Sequence, residues 1–152
     1  MKESETKEVI IKELAKEDVD AAAKLEAKTF SMPWKASDFL EMVNADYAHY
    51  YVAVIGKRTV GILGLRDIAG EGEITNVVVE KSERRKNIAS LLMETALEKC
   101  DELGIKDVTL EVRISNTPAI KLYEKFGFKE EGIRPSFYEK PKEDALIMWR
   151  RT

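Results

Sequence analysis

The spacing of apolar and polar residues divides the chain into short strands and amphipathic helices. VIIKEL, residues 9–14, predicts a first strand. A helix follows to about Phe30, with Asp18 as its N-cap and Val19, Ala22, Ala23, Leu25 and Ala27 on its apolar side. SMPWK, residues 31–35, is a loop broken by Pro33; a short helix from about Ser37 to Val43 then turns Phe39, Leu40 and Val43 inward. HYYVAVI (49–55) and TVGILGLRDI (59–68) read as strands joined through GKR into a hairpin, and EITNVVVE (73–80) as a third. Ile88, Leu91, Leu92, Thr95, Ala96, Cys100 and Leu103 recur at helical spacing, and Gly104 stops that helix. DVTLEVR (107–113) alternates as a strand. TPAIKLYEKFGF places Thr117 as N-cap, Pro118 in the first turn and Gly127 at the stop. Two last strands fall at about 128–137 and 144–150, and residues 1–8 read as a polar, frayed end.

This order is strand, two helices, three strands, helix, strand, helix, two strands. Only the strands flanking the 88–103 helix need a parallel crossover, so the sheet is mixed and mostly antiparallel. The expectation is an α/β (α+β) fold with about seven strands flanked by about four helices, as one domain over 1–152.

Composition narrows the classes. With 152 residues, 44% hydrophobic and 35% charged, the chain suits a globular domain with a sizeable core. A net charge of −3 argues against nucleic acid as a partner. The single cysteine, Cys100, cannot form an internal disulfide and sits on an apolar helix face, as core. No segment has the length of a membrane span or the apolar core of a signal peptide, so cytoplasm and no membrane are expected. His49 has no partner at metal-ligand spacing and receives no role; no metal is expected.

The chemistry concentrates in ERRKNIASLL, residues 83–92. Arg84, Arg85 and Lys86 stand where a helix begins, although a helix N-terminus carries partial positive charge and favours anions. On charge alone, a solvated loop accounts for them. Their place between an apolar strand and a helix points instead to a bound phosphate, which free main-chain N–H groups there would also hold. Neither G-x-x-x-x-G-K-[ST] nor G-x-G-x-x-G is present, which argues against a simple nucleotide.

NVVVEKSERRKNIASLLM resembles the cofactor loop of the GCN5-related N-acetyltransferases, whose pattern Q/R-x-x-G-x-G/A corresponds here to Arg84-Arg85-Lys86-Asn87-Ile88-Ala89. LEVRISNTPAIKLYEKFGF resembles the family's next motif. Together with MPW, IRPSFY and EDALIM, the chain is similar to the members that acetylate the N-terminal alanine of ribosomal proteins. One departure is Asn87 where the family has glycine; asparagine tolerates left-handed backbone better than most residues.

The resemblance implies acetyl-coenzyme A as cosubstrate and a protein or peptide N-terminus as acceptor. A monomer or weak dimer is expected. It implies a cofactor site at Val77, Val78 and Val79, whose backbone would pair with the pantetheine arm, at Arg84, Arg85, Lys86, Asn87, Ile88, Ala89 and Ser90, and at Asn116 and Tyr123. The Val78 N–H would hold the acetyl carbonyl. Glu111 would be the base and Tyr123 the acid, while Met32, Trp34 and Tyr138 would line the acceptor groove. Each position also has a structural reading. Glu111 suits a solvent-facing strand residue paired with Arg113, Tyr123 a core position, and Asn116 a helix cap shared with Thr117. Val77–Val79 suit core, Trp34 a lid over it, and Tyr138 a strand end. Acceptors of another class, a polyamine or antibiotic amine, fit the same fold, as does a non-catalytic coenzyme A-binding module. An RNA-binding loop is disfavoured by the net charge.

Overall fold

The computed structural model describes residues 8–152; the polar end expected over 1–8 lies almost wholly outside them. The strands are β1 (Val9–Glu13), β2 (Ala48–Ile55), β3 (Arg58–Ile68), β4 (Glu71–Val79), β5 (Val108–Arg113), β6 (Lys129–Tyr138) and β7 (Glu143–Arg150). The helices are α1 (Val19–Thr29), α2 (Ala36–Val43), α3 (Ile88–Leu103) and α4 (Thr117–Lys125). One sheet in the order β1-β2-β3-β4-β5-β7-β6 contains all seven strands. Only β4 and β5, joined through α3, run parallel.

Helices cover both faces, which is why β2 shows four consecutive buried residues, Tyr50 to Ala53, rather than alternation. Tyr50 and Val52 turn to the α1–α2 side, against Val19, Ala22, Leu25, Phe39 and Met42. Tyr51 and Ala53 turn to the other side, against Ile88, Leu92, Met93, Ala96, Leu97 and Cys100 of α3. Burial raises the Cys100 thiol to about 11, so it is an inert core group. Gly104 ends α3 in left-handed backbone, φ 73°, as its position in the sequence requires.

Four local expectations need correction. Asp18 does not cap α1 with its side chain; its carboxylate folds back to accept the Ala15 N–H at 2.8 Å and pairs with Lys12. The cap of α4 is Asn116, not Thr117: Asn116 Oδ1 accepts the Ala119 N–H at 3.3 Å and Thr117 is the first helical residue. In α2 the buried pair is Phe39 and Met42, with Leu40 and Val43 only partly covered. Leu103 is exposed, because the i, i+4 line through Ile88, Leu92, Ala96 and Cys100 turns away from it.

The decisive irregularity lies in β4. Gly64 of β3 pairs with Asn76, but Leu65 pairs with Ile74, so Thr75 is an extra residue on β4: a β-bulge. The parallel pairing of β4 with β5 stops at the same point, at Ile74 and Leu110. Beyond it the two strands part, and a cleft opens. Gly64 accommodates the bulge: a Cβ there would stand 2.5 Å from Thr75 Oγ1 and from the Tyr50 ring. Gly64→Ala is therefore expected to cost about 1–3 kcal/mol and to lower the melting temperature by about 3–10 °C in scanning calorimetry. An unchanged melting temperature would show that Tyr50 and Thr75 do not hold the bulge.

Candidate active site

The cleft between the diverging strands has a volume of about 720 Å³. It brings together residues far apart in sequence: Met32 and Trp34 from the α1–α2 loop, Val77 from β4, Glu111 from β5, Asn116 from the cap of α4 and Tyr123 from α4 itself, and Tyr138 from β6. Arg84 to Ser90 lie off the cleft, beyond the end of β4. The free edge of β4 connects the two places.

Strand register determines which amides that edge offers. Glu80 N–H donates to Val60 O at 2.7 Å, and the pairing continues as Val79 with Gly61, Val78 with Ile62 and Val77 with Leu63. In an antiparallel ladder, alternate residues direct their backbone groups to the partner strand. Val78 thus bonds to β3, while Val77 and Val79 present N–H and C=O to the open edge. This corrects the expectation that the Val78 N–H holds the acetyl carbonyl. Side chains follow the same parity: Val78 is buried against α1 and α2, and Val77 and Val79 pack partly against the α3 side.

The loop before α3 has the form of an anion cradle. Asn87 is left-handed, φ 60° and ψ 22°, as its substitution for glycine requires, and Arg85 is left-handed too, φ 73°. The first helical bond is Leu91 N–H to Asn87 O at 3.0 Å, so the amides of Ile88, Ala89 and Ser90 precede the helical ladder. The Ile88 side chain is core, leaving only its backbone for a ligand. The Arg84 and Arg85 side chains are exposed and make no hydrogen bond or ion pair among the described residues. Lys86 differs: its Nζ donates to Glu83 Oε1 at 2.7 Å, while Arg58 donates to Glu83 Oε2 at 2.6 Å. These two cations hold the Glu83 carboxyl below its ordinary range. Lys86 thus belongs to a structural triad, and the available positive charge is that of the two arginines.

In the cleft, the expected pairing of Glu111 with Arg113 does not form. Glu111 makes its ion pair with Arg134 of β6. Arg113 donates to Glu143 at 3.2 Å and to the carbonyls of Glu139 and Pro141, and its guanidinium lies 4.4 Å from the Tyr138 ring centre. Burial, then the charge of Glu111, raises the Tyr138 hydroxyl to about 12. Tyr123 is buried beneath the cleft against Phe128; burial, with the nearby Tyr138 hydroxyl adding to it, pushes its hydroxyl far up, so it stays protonated through neutral pH. Trp34 stacks on Tyr50 at 5.8 Å and contacts Phe39 at 5.2 Å, so it closes the α1–α2 core and also forms a wall of the cleft. Met32 stands at the exposed rim.

Sequence reasoning missed a second polar set across the cleft. Tyr50 OH lies 2.5 Å from Thr75 Oγ1, and Thr75 Oγ1 donates to Asn76 Oδ1 at 2.6 Å. Asn76 Nδ2 donates to the Glu26 carboxylate at 3.3 and 3.4 Å. Glu26 is 3% exposed, and burial raises its carboxyl above the ordinary range. The polar break at Thr75-Asn76 inside an apolar strand was the only signal available in the sequence.

A profile of the Acetyltransferase (GNAT) family matches residues 19–128. A Bacillus subtilis relative named as a putative ribosomal protein bS18-alanine N-acetyltransferase is 36% identical over 140 residues, 91% of this chain and 93% of that protein. The Escherichia coli ribosomal protein bS18-alanine N-acetyltransferase is 29% identical over 140 residues, 91% and 94% of the two chains. The crystal structure of the E. coli ribosomal-protein-S18-alanine N-acetyltransferase superposes with a TM-score of 0.87 over 95% of this chain and 94% of that one, at 26% identity. The NatC complex bound to Gag peptide and CoA shares the fold, with a TM-score of 0.83 at 23% identity over 95% and 99%. The architecture is that of an acyltransferase. The chain belongs to the acetyltransferase (GNAT) family and is an N-acetyltransferase.

The left-handed backbone at residue 87 gives a direct test. Asn87→Gly is expected to keep the melting temperature and, by calorimetric titration, the coenzyme A affinity within about threefold. Asn87→Val should cost about 1–2 kcal/mol and weaken coenzyme A binding, because a β-branched residue resists this conformation. Equal behaviour of the two variants would refute the assignment.

Proposed function

We propose that the protein transfers acetyl from acetyl-coenzyme A to the α-amine of a protein N-terminus, the alanine of a small-subunit ribosomal protein being the best-supported acceptor. The observation that carries this reading is the meeting of Glu111, Tyr123 and the open amide edge of β4 in one cleft. The names of the bacterial relatives support the choice of acceptor. A cytoplasmic setting fits a ribosomal substrate. Among the described residues no helix is long and apolar enough to cross a membrane, and no acidic, His or Cys cluster is arranged to hold a metal.

The cradle suits a coenzyme A diphosphate: the amides of Ile88, Ala89 and Ser90 point from a helix start, with Arg84 and Arg85 beside them. Val77 and Val79 would pair with the amides of the pantetheine arm, as an added strand does, and the Asn116 amide would bond the same arm. The cosubstrate supplies an acetyl group already activated as a thioester. The chain supplies the proton traffic. An α-amine has a pKa of roughly 7.7 to 8.0, so at neutral pH most of it is protonated and must lose a proton before attack. Glu111 would accept that proton, directly or through water, once the acceptor displaces Arg134. Tyr123, kept protonated by its burial, would donate to the departing sulfur. Met32, Trp34 and Tyr138 wall the space left for an extended peptide end.

Mass analysis of peptide libraries incubated with acetyl-coenzyme A is expected to show acetylation of free N-termini, with alanine preferred at the first position. Acetylation confined to polyamines or lysine side chains would overturn the acceptor. Glu111→Gln should lower kcat about a hundredfold or more with coenzyme A affinity nearly intact, and Tyr123→Phe should act in the same direction. Unchanged turnover in Glu111→Gln removes Glu111 from the mechanism.

A further inference from the structure

The reaction proposed above uses the β5 side of the cleft. The opposite side carries a carboxylate for which the fold has no internal use. Glu26 projects from α1 into the floor of the cleft, between the β4 bulge and Trp34. Its partners are all neutral: the Asn76 amide at 3.3 and 3.4 Å and the Trp34 backbone N–H at 3.5 Å. These contacts are long for charge-assisted bonds. No Lys or Arg among the described residues lies within ion-pair distance of it. A glutamine oxygen would accept the same donors with no buried charge, and burying an unpaired charge is costly.

The surroundings nevertheless hold this carboxylate in place. Tyr50 OH donates to Thr75 Oγ1, which in turn donates to Asn76 Oδ1, and this relay turns Asn76 Nδ2 toward Glu26. The whole set rests on the bulge that opens the cleft. A fixed anion with neutral partners, at the floor of a cleft whose acceptor arrives mostly as a cation, is a counter-charge awaiting its ion. We infer that Glu26 is a specificity-determining residue, whose carboxylate receives the protonated acceptor amine on the β4 side of the cleft while Glu111 stands on the β5 side as base. This rests on the transfer reaction proposed above, and it adds recognition of the acceptor's charge.

The test uses the full chain saturated with coenzyme A, titrated calorimetrically with a short alanine-initiated peptide and with its des-amino analogue, in which hydrogen replaces the α-amine. The wild type is expected to bind the amine form about tenfold or more tightly. Glu26→Gln is expected to melt at the same or a higher temperature, to keep its coenzyme A affinity and to lose the preference to within about twofold. Retained preference in Glu26→Gln overturns the inference. So does a lowered melting temperature with equal weakening of both peptides, which would make Glu26 a support for Trp34 and Asn76 only. If the wild type acetylates a small diamine and binds neither peptide, the acceptor reading fails separately. The role of Glu26 is then decided by the same comparison between that amine and its alcohol analogue.

Discussion

The separation of β4 from β5 is the constraint on which the rest of this structure depends. Two parallel strands that stayed paired along their length would leave no free backbone edge and no cleft. One extra residue, Thr75, ends the pairing at Ile74 and Leu110. A bulge bends its strand and raises its twist, so each further residue carries the strands farther apart. The bulge persists because Gly64 leaves room for Tyr50 to cross β3 and reach Thr75. A glycine, a tyrosine and a threonine from three adjacent strands thus produce the opening that a catalytic site requires.

The opening also lets the two faces of the sheet meet. Tyr123 belongs to the α3–α4 side, whereas Glu111, Arg113 and Tyr138 group on the α1–α2 side, with Glu26 and Asn76 across from them. In an unbroken sheet these groups would be separated by a layer of backbone. Here Tyr123 and Tyr138 both line the one gap. Burial keeps Tyr123 protonated, and the exposed Arg134 partner of Glu111 can be displaced by an incoming peptide. In the proposed reaction, Tyr123 would stay protonated as the acid and Glu111 would be held in its ion pair with Arg134 until a substrate arrives.

The division of the loop cations follows from elementary electrostatics. Three consecutive cations at a helix start repel one another and oppose the helix dipole. Glu83 neutralises one of them, with Arg58 of β3 completing the triad. That arrangement ties the loop to the sheet and leaves Arg84 and Arg85 as the uncompensated charge at the helix N-terminus. Arginine suits this place, since its planar fork can meet a phosphate with two bonds.

The elements, their order, the mixed sheet and the extent of α3 were legible in the chain, because each rests on local periodicity, whereas the left-handed Asn87 was suggested by the family glycine it replaces. Glu111, Tyr123 and Asn116 stood out only through resemblance; periodicity alone reads them as surface, core and cap. Three matters were decided by tertiary structure. Which valine amides face the open edge depends on register with β3, whose parity a bulge can reverse. The third member of the Glu83 triad, Arg58, lies 25 residues from Glu83 in the chain. The Glu26–Asn76 contact joins residues 50 apart. Short-range patterns report the conformation of a segment, whereas these pairings arise from packing one segment against another, and nothing in either segment alone encodes its partner.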